Sequence, residues 1–109
     1  MHILHTESSN GWGGQEIRIL KESLGLKSQG FEVSLAVARG GKLIDYARKS
    51  GIQVFEIDFK RSHALQALWQ LCKIIRQNKI SVVNTHSSLD SWLGGIAARL
   101  THRPVVRTR

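Results

Sequence analysis

The sequence contains little cysteine, little proline and few aromatic residues, and each shortage excludes a class of protein. Its single cysteine, Cys72, lies in an apolar pattern, so neither a disulfide framework nor a cysteine metal site is available, and we expect a reducing, cytoplasmic compartment. Aromatic residues make up 6% of the chain, too few to indicate a surface that stacks nucleic-acid bases. The 109 residues, of which 41% are hydrophobic and only one is proline, suffice for one modest core and therefore for one domain.

Long hydrophobic runs are also missing. The opening run from Met1 to Thr6 is too short for a signal peptide and lacks its charged flank, and no apolar run approaches the length of a transmembrane helix. His2, His63 and His102 are dispersed, without the spacing of metal ligands, so we expect no metal site. These absences predict a soluble protein.

The formal net charge is +8, and its distribution along the chain is informative. Lysine and arginine are spread out instead of forming a basic tail, and no recognition-helix or RNA-binding motif accompanies them, so we expect no nucleic-acid partner. Contact with an anionic membrane stays open, because one helical pattern carries basic residues at its ends and flank: Lys60, Arg61, Lys73, Arg76 and Lys79. The alternative is that this helix packs its apolar stripe on a sheet while its charges face water.

Apolar patterns with the period of a strand alternate with patterns that have the period of a helix. Strands are predicted at residues 2–6, 31–37, 52–57, 80–85 and 104–108, and helices at 14–29, 42–50, 63–78 and about 90–101. Two helices are expected to bury these stripes: Ile17, Leu20, Leu24 and Leu26 in the first, and Leu65, Leu68, Cys72 and Ile75 in the third. Strands alternating with helices imply right-handed crossovers, and so an α/β fold, a Rossmann-like doubly wound parallel sheet with helices on both faces.

Two polar turns follow the first and fourth predicted strands, whose carboxyl ends meet where the order of a doubly wound sheet reverses. The first turn carries Gly13 and Gly14 before a helix, so that backbone N–H groups and the positive end of the helix dipole can approach an anion. The second turn, Thr85-His86-Ser87-Ser88, supplies an imidazole and hydroxyls. We therefore predict one ligand crevice, with these candidate site residues: Gly13, Gly14, His86, Ser87 and Ser88.

Each candidate also has a purely structural interpretation, and the residues alone leave the choice open. The glycines are typical of a plain tight turn as well, and His86 of a strand-end histidine bonded to backbone or water. Ser87, Ser88 and Asp90 provide oxygens that cap the N-terminus of the fourth helix, which is the role we favour for Asp90. At the end of the first strand, His5 is expected to pack rather than react.

Several short motifs together resemble the amino-terminal domain of GT-B glycosyltransferases, in the large retaining group of family 4-like enzymes. They are Met1-His2-Ile3-Leu4-His5, Gly13-Gly14-Gln15-Glu16, Gln29-Gly30-Phe31-Glu32-Val33, Val83-Asn84-Thr85-His86-Ser87-Ser88 and Gly94-Gly95-Ile96-Ala97-Ala98-Arg99. The resemblance extends over nearly the whole chain, and the order and spacing of the motifs carry it. Gln15 stands where that family often has alanine, a departure that leaves both glycines in place.

The resemblance implies a nucleotide-sugar donor and a saccharide or lipid-linked acceptor, with retention at the anomeric carbon, no metal and no cofactor. It assigns Gly13 and Gly14 to the approach of donor diphosphate and acceptor, and His86 to the orientation of the transferred sugar. In that family a carboxyl-terminal domain supplies most donor contacts, and nothing in residues 1–109 corresponds to it. We therefore expect a partial, acceptor-side domain that is inactive by itself, in a cytoplasmic protein with or without peripheral contact at the inner face of the membrane.

A competing hypothesis is a small Rossmann-like module that binds a phosphorylated ligand or a partner without chemistry. The lack of a complete acid–base or nucleophile constellation agrees with either hypothesis. A second α/β domain with a paired glutamate motif, encoded beyond Arg109, would favour the enzyme.

Overall fold

The described strands form one parallel sheet. The computed structural model describes residues 1–8, 13–86 and 88–107. The strands are β1 (His2–Glu7), β2 (Glu32–Ala38), β3 (Gln53–Ile57), β4 (Val82–Thr85) and β5 (Val105–Arg107). Their order across the sheet is β3-β2-β1-β4-β5, and every neighbouring pair is parallel. The predicted doubly wound fold class is confirmed.

In the described part of the chain, α-helices cover both faces of the sheet. They are α1 (Gly14–Ser28), α2 (Lys42–Lys49), α3 (Ala64–Gln77, after a 3₁₀ turn at Arg61–His63) and α4 (Ser88–Leu100). Helices α1 and α2 pack on one face, over a core that includes Ile19, Leu35 and Val37. Helices α3 and α4 pack on the other face, over a core that includes Leu4 and Ala36. Successive residues of β2 thus enter opposite cores, as the pleat of a strand requires.

The face that α1 buries differs from the prediction. Glu16, Ile19 and Ser23 are its buried residues, whereas Ile17 and Leu24 are each 37% exposed. Ser23 is accommodated because its Oγ donates a hydrogen bond to the carbonyl oxygen of Ile19, one turn earlier. The N–H groups and dipole at the start of a helix stabilise a carboxylate in the first turn, where Glu16 lies. Of the predicted stripe, Leu20 packs against the core as expected, whereas the inward placement of Ile17 and Leu24 was wrong, because the polar residues Glu16 and Ser23 occupy inward positions.

The inner stripe of α3 was predicted in part. Cys72 and Ile75 are buried, and Leu68 packs against the same core, as expected. Leu65 was placed wrongly, since its side chain is 83% exposed. The inward face is centred on fully buried Leu71, and Leu65 lies outside the i±3 and i±4 positions that share a face with that residue.

Helix α4 begins at Ser88, two residues earlier than predicted. Asp90 therefore lies within the first turn of the helix and not at the N-cap position, and its capping role stays a prediction, because its side chain lies outside the described part of the chain. Ser87, which directly precedes the helix, lies outside the described residues.

Candidate functional site

The order of the strands reverses between β1 and β4, which lie side by side. The chain leaving β1 enters α1 on one face and the chain leaving β4 enters α4 on the other, so a crevice opens between the two carboxyl ends. Thr6 pairs with Thr85 in the ladder, which brings the following residues, Glu7 and His86, to the same edge. Residues 9–12 of the glycine turn and Ser87 lie outside the described residues.

Two buried histidines meet in this crevice. Nδ1 of His5, in β1, lies 2.9 Å from Nε2 of His86, directly after β4. The rings are stacked, with centroids 5.1 Å apart and planes inclined by 30°. His5 is 1% exposed and His86 6%, so little water screens the contact. Two ring nitrogens at this distance form a hydrogen bond in which one nitrogen donates and the other accepts.

Burial, and to a smaller extent repulsion by a charged His86, together lower the pKa of His5 from 6.5 to about 4. His5 is therefore neutral at pH 7 and contributes a hydrogen-bonding ring instead of a charge. The expected burial of His5 is confirmed, but sequence reasoning missed its contact with His86. The contact could have been inferred from the position of His5 near the carboxyl end of β1, beside the point where the strand order reverses.

A buried carboxylate ends β1 beside the histidine pair. The side chain of Glu7 is fully enclosed and accepts a hydrogen bond from Nε2 of Gln15, in the first turn of α1. Glu16, in the same turn, is also buried. Sequence reasoning missed Glu7, although strand alternation places it on the same face of β1 as His5. This side of the crevice therefore combines two enclosed carboxyl groups with a helix N-terminus, which stabilises negative charge.

Gly13 and Gly14 lie where α1 begins. Gly13 is the N-cap residue, with extended backbone angles (φ −146°, ψ −163°), and Gly14 is the first helical residue. Both are exposed, and a Cβ built on either would meet no described atom within 4 Å. The described residues therefore give no packing reason for glycine at these positions. Ser88 begins α4, on the β4 side of the same edge.

A cleft of about 460 Å³ lies along this sheet edge, beyond the ends of β1, β2 and β3. Asp58 accepts hydrogen bonds from the backbone N–H of Lys60 and from Nδ1 of His63, and these bonds, in that order, lower its pKa. Arg39 and Lys60 form no ion pair with any described carboxylate. The residues that line the cleft are Ser8, Ala38, Arg39, Ile57, Asp58, Phe59 and Lys60. No motif in the sequence indicated this cleft.

Comparison with known proteins identifies the family to which this chain belongs. The family model described as Glycosyltransferase Family 4 matches residues 12–109, which is most of the chain. The chain belongs to glycosyltransferase family 4. The matched region includes Gly13 and Gly14 as well as the motif around His86. The predicted resemblance is therefore confirmed.

Individual relatives of this family 4 chain agree with the assignment. A relative from Escherichia coli, UDP-Gal:alpha-D-GlcNAc-diphosphoundecaprenol alpha-1,3-galactosyltransferase, is 34% identical over 108 residues, which cover 95% of this chain and 28% of the relative. A glycosyltransferase structure from Rickettsia africae superimposes with a TM-score of 0.86, at 22% identity, over 99% of this chain and 29% of that one. HepE from Anabaena, in complex with UDP, gives a TM-score of 0.76, at 18% identity, over 98% of this chain and 29% of HepE.

The family 4 chain thus spans less than a third of the length of these relatives. Its fold is that of the Rossmann-like amino-terminal domain of GT-B glycosyltransferases, and it belongs to the glycosyltransferases by its sequence. The activity, substrates and partners of those longer proteins are considered as proposals below.

Proposed function

We propose that this chain forms the acceptor-side, amino-terminal domain of a nucleotide-sugar-dependent glycosyltransferase that transfers a sugar to a lipid-linked or saccharide acceptor. The observation that carries the proposal is the crevice of a family 4 chain, where the start of α1 and the His5–His86 pair lie at one sheet edge. Ligands of doubly wound sheets bind at this edge because backbone N–H groups and side chains from several loops converge there.

The names of the relatives support a UDP-sugar as donor and a diphosphate-linked saccharide as acceptor. The Escherichia coli relative is named for UDP-Gal and GlcNAc-diphosphoundecaprenol, and HepE was solved with UDP. A diphosphate is common to these compounds. A chain with a formal net charge of +8 attracts such anions, and a helix N-terminus binds them. We infer the same two substrate classes here, with the individual sugars left to experiment.

Each candidate residue has a role in this proposal. Gly13 and Gly14 let a diphosphate approach the N–H groups at the start of α1, because no Cβ stands in front of them. The helix dipole favours the negative charge that develops on the leaving diphosphate. His86 orients the transferred sugar through a hydrogen bond. We keep Ser87 and Ser88 as substrate-binding candidates on the sequence alone.

The cleft beyond β2 and β3 supports an acceptor that carries phosphate. Arg39 and Lys60 come from different loops and line one cavity, while the carboxylate of Asp58 is engaged by His63. Neither cation forms an ion pair with a described carboxylate, although the charge of Lys60 also acts on Asp58, so both can contact an anionic ligand. We place the charged part of the acceptor in this cleft, beside the sugar-transfer crevice.

This proposal requires a second domain that binds the nucleotide-sugar donor. The chain covers 28% of its Escherichia coli relative, so most of the length of that enzyme lies outside the matched region. We propose that the 109 residues bind nucleotide-sugar weakly by themselves and support transfer only together with a carboxyl-terminal domain.

We also propose a peripheral membrane contact through the outer face of α3. Among the described residues no helix is both long and apolar enough to cross a bilayer. Leu65 is 83% exposed and Trp69 64%, and the Nζ of Lys73 lies 5.1 Å from the centroid of the Trp69 ring. Arg76 and Leu100 line the adjoining shallow groove. Helix α3 thus packs its inner stripe on the sheet and still presents apolar side chains bordered by cations, a pattern that binds anionic lipid surfaces.

The deciding assay measures sugar transfer by the protein encoded by the complete reading frame that contains this chain. A panel of UDP-sugars is offered together with a diphosphate-linked saccharide, and we expect transfer from one donor and loss of most of it in His86→Ala. The 109-residue chain serves as the negative control. If no donor supports transfer while the chain still binds a phosphorylated ligand, the chain is instead a binding module without chemistry.

A further inference from the structure

We infer that Gln15 is a positioning residue of the crevice: its side-chain amide binds the buried carboxylate of Glu7 and so holds the start of α1 where the first N–H groups of the helix meet a diphosphate. The inference rests on the proposed function for its ligand, because it names the residue that places those N–H groups. Its structural part concerns only the contact between Gln15 and Glu7 and can be tested without any activity.

The contact joins the end of a strand to the start of a helix. Glu7 is the last residue of β1, and Gln15 is the second residue of α1, eight positions further along the chain. The strand side is well anchored, because Glu7 pairs with Val37 of β2 and both residues are buried. The hydrogen bond therefore ties the first turn of α1 to the sheet itself and closes the base of the glycine turn between them.

The chemistry of Glu7 determines the direction of this bond. The oxygens of a carboxylate only accept hydrogen bonds, so Gln15 must turn the NH₂ end of its amide toward Glu7. Glu7 is 0% exposed, and a carboxylate removed from water requires donors from the protein. A hydrogen bond to a charged group is stronger than one between neutral groups, so this contact holds the side chain of Gln15 firmly.

The start of α1 lacks a side-chain cap at its N-cap position. Gly13, the N-cap residue, has no side chain with which to bind the first N–H groups of the helix. The N–H of Ile17 donates to the carbonyl oxygen of Gly13 at 3.1 Å, so the N–H groups of Gly14 and Gln15 precede the helical ladder. Such groups point out of the helix end, where the proposed diphosphate binds. Gln15 thus supplies a backbone donor at this end and also the side chain that positions it.

The contact has an electrostatic effect as well. The positive end of a helix dipole attracts a nearby carboxylate, and Glu7 lies beside the start of α1. Without the amide of Gln15, the carboxylate of Glu7 would compete with a diphosphate for the same backbone N–H groups. The neutral amide satisfies the carboxylate and leaves those groups to the ligand. Loss of the amide should therefore weaken the binding of the anion.

The structural test is the hydrogen exchange of the Gln15 side-chain amide, measured by ¹⁵N NMR on the 109-residue chain. We expect its Nε2–H groups to exchange at least about tenfold more slowly than those of Gln29, because a hydrogen bond to a buried group protects them. Gln29 is the matched reference, since it is exposed at the other end of α1. Equal exchange at the two residues would overturn the inference.

Binding of inorganic pyrophosphate by the chain separates positioning from stability. Gln15→Met keeps the length of the side chain and removes its donor, and we expect it to weaken binding about tenfold, read from the amide shifts of Gly14 and Ile17. Gln15→Asn, whose amide is one methylene group short, should give the same loss, and Gln29→Met should bind as the wild type does. A lower unfolding midpoint of Gln15→Met with unchanged pyrophosphate affinity would contradict the inference. So would a wild-type chain in which these amides do not respond to pyrophosphate.

Kinetics of the complete protein test the consequence for transfer. We expect Gln15→Met to raise the KM of the nucleotide-sugar about tenfold and to change kcat by less than about twofold, since the contact places a binding group and touches no reacting atom. An unchanged KM in an active variant would overturn the positioning role, as would a fall in kcat alone. A wild-type protein that transfers no sugar would instead contradict the proposed function, and the pyrophosphate titration would still decide the role of Gln15.

Discussion

Gly94 of α4 packs directly against Thr85 of β4: a Cβ added at Gly94 would lie 2.9 Å from Thr85 Cγ2 and 3.5 Å from Thr6 Oγ1. The missing side chain lets α4 approach the two strands whose carboxyl ends border the crevice. Gly95, the next residue along the helix, has no described atom within 4 Å of its Cβ position. The two glycines therefore differ in packing while sharing one helix.

Alanine at these two positions should have opposite effects on stability. Overpacking against Thr85 destabilises the fold by about 1–3 kcal/mol. The higher helix propensity of alanine offsets up to about 1 kcal/mol of this, so Gly94→Ala should lower the free energy of unfolding. Gly95→Ala adds the propensity without the clash and should raise it by up to about 1 kcal/mol. Urea unfolding of both variants measures the difference, and equal effects would show that α4 does not pack as closely as described.

His5 should make the stability of the fold fall in acid. Its pKa is lowered from 6.5 to about 4 in the folded state, so between these values the unfolded chain binds a proton that the folded chain does not. This group leaves the free energy of unfolding unchanged above pH 6.5 and lowers it as the pH falls, by about 3 kcal/mol in total near pH 4. Urea unfolding at several pH values tests this, with His5→Phe for comparison. A variant with the same acid dependence as the wild-type chain would exclude His5 as its cause.

Valine at Gly13 or Gly14 should impair substrate binding and spare the fold. A Cβ at either position meets no described atom, so unfolding midpoints should stay close to that of the wild type. In the complete protein the branched side chain would stand in front of the N–H groups of α1, and we expect the KM of donor or acceptor to rise about tenfold. Gly25→Val is the matched control, since Gly25 lies near the other end of α1 and its Cβ position is also open. Kinetics unaltered at both Gly13 and Gly14 would remove them from the site.

Vesicle flotation should detect the outer face of α3. We expect the chain to float with vesicles of phosphatidylcholine and phosphatidylglycerol, and to remain unbound with phosphatidylcholine alone. Each lysine or arginine near an anionic surface contributes about 1 kcal/mol, so Lys73→Gln should weaken binding about fivefold, and Trp69→Gln should weaken it by removing apolar contact. Tyr46→Gln controls for exposed aromatics, because Tyr46 is 45% exposed on α2, at the other face of the sheet. Equal binding to vesicles with and without phosphatidylglycerol would contradict the proposed contact.

The order of the elements was predictable because short-range geometry specifies it. Alternation from Phe31 to Val37 matches the two-residue period of a strand, and Gly30 and Gly51 mark the points after α1 and α2 where the chain turns. These glycines have φ angles of 93° and 81°, which side chains disfavour, so the sequence carries the signal directly. The sheet edge that holds the crevice followed from this order, since parallel strands joined by right-handed crossovers place their carboxyl ends together.

The sequence by itself determined the doubly wound class, the family resemblance and the sheet edge at which the start of α1 and His86 lie. Only the tertiary structure decided that His5 meets His86 across 81 positions, that Gln15 binds buried Glu7, and that α1 turns Glu16 and Ser23 inward. The physical reason is the distance along the chain over which each effect acts. Periodicity and turn chemistry act over a few residues, whereas the neighbours of a buried polar group depend on which strands lie side by side and on which partners can satisfy its hydrogen bonds.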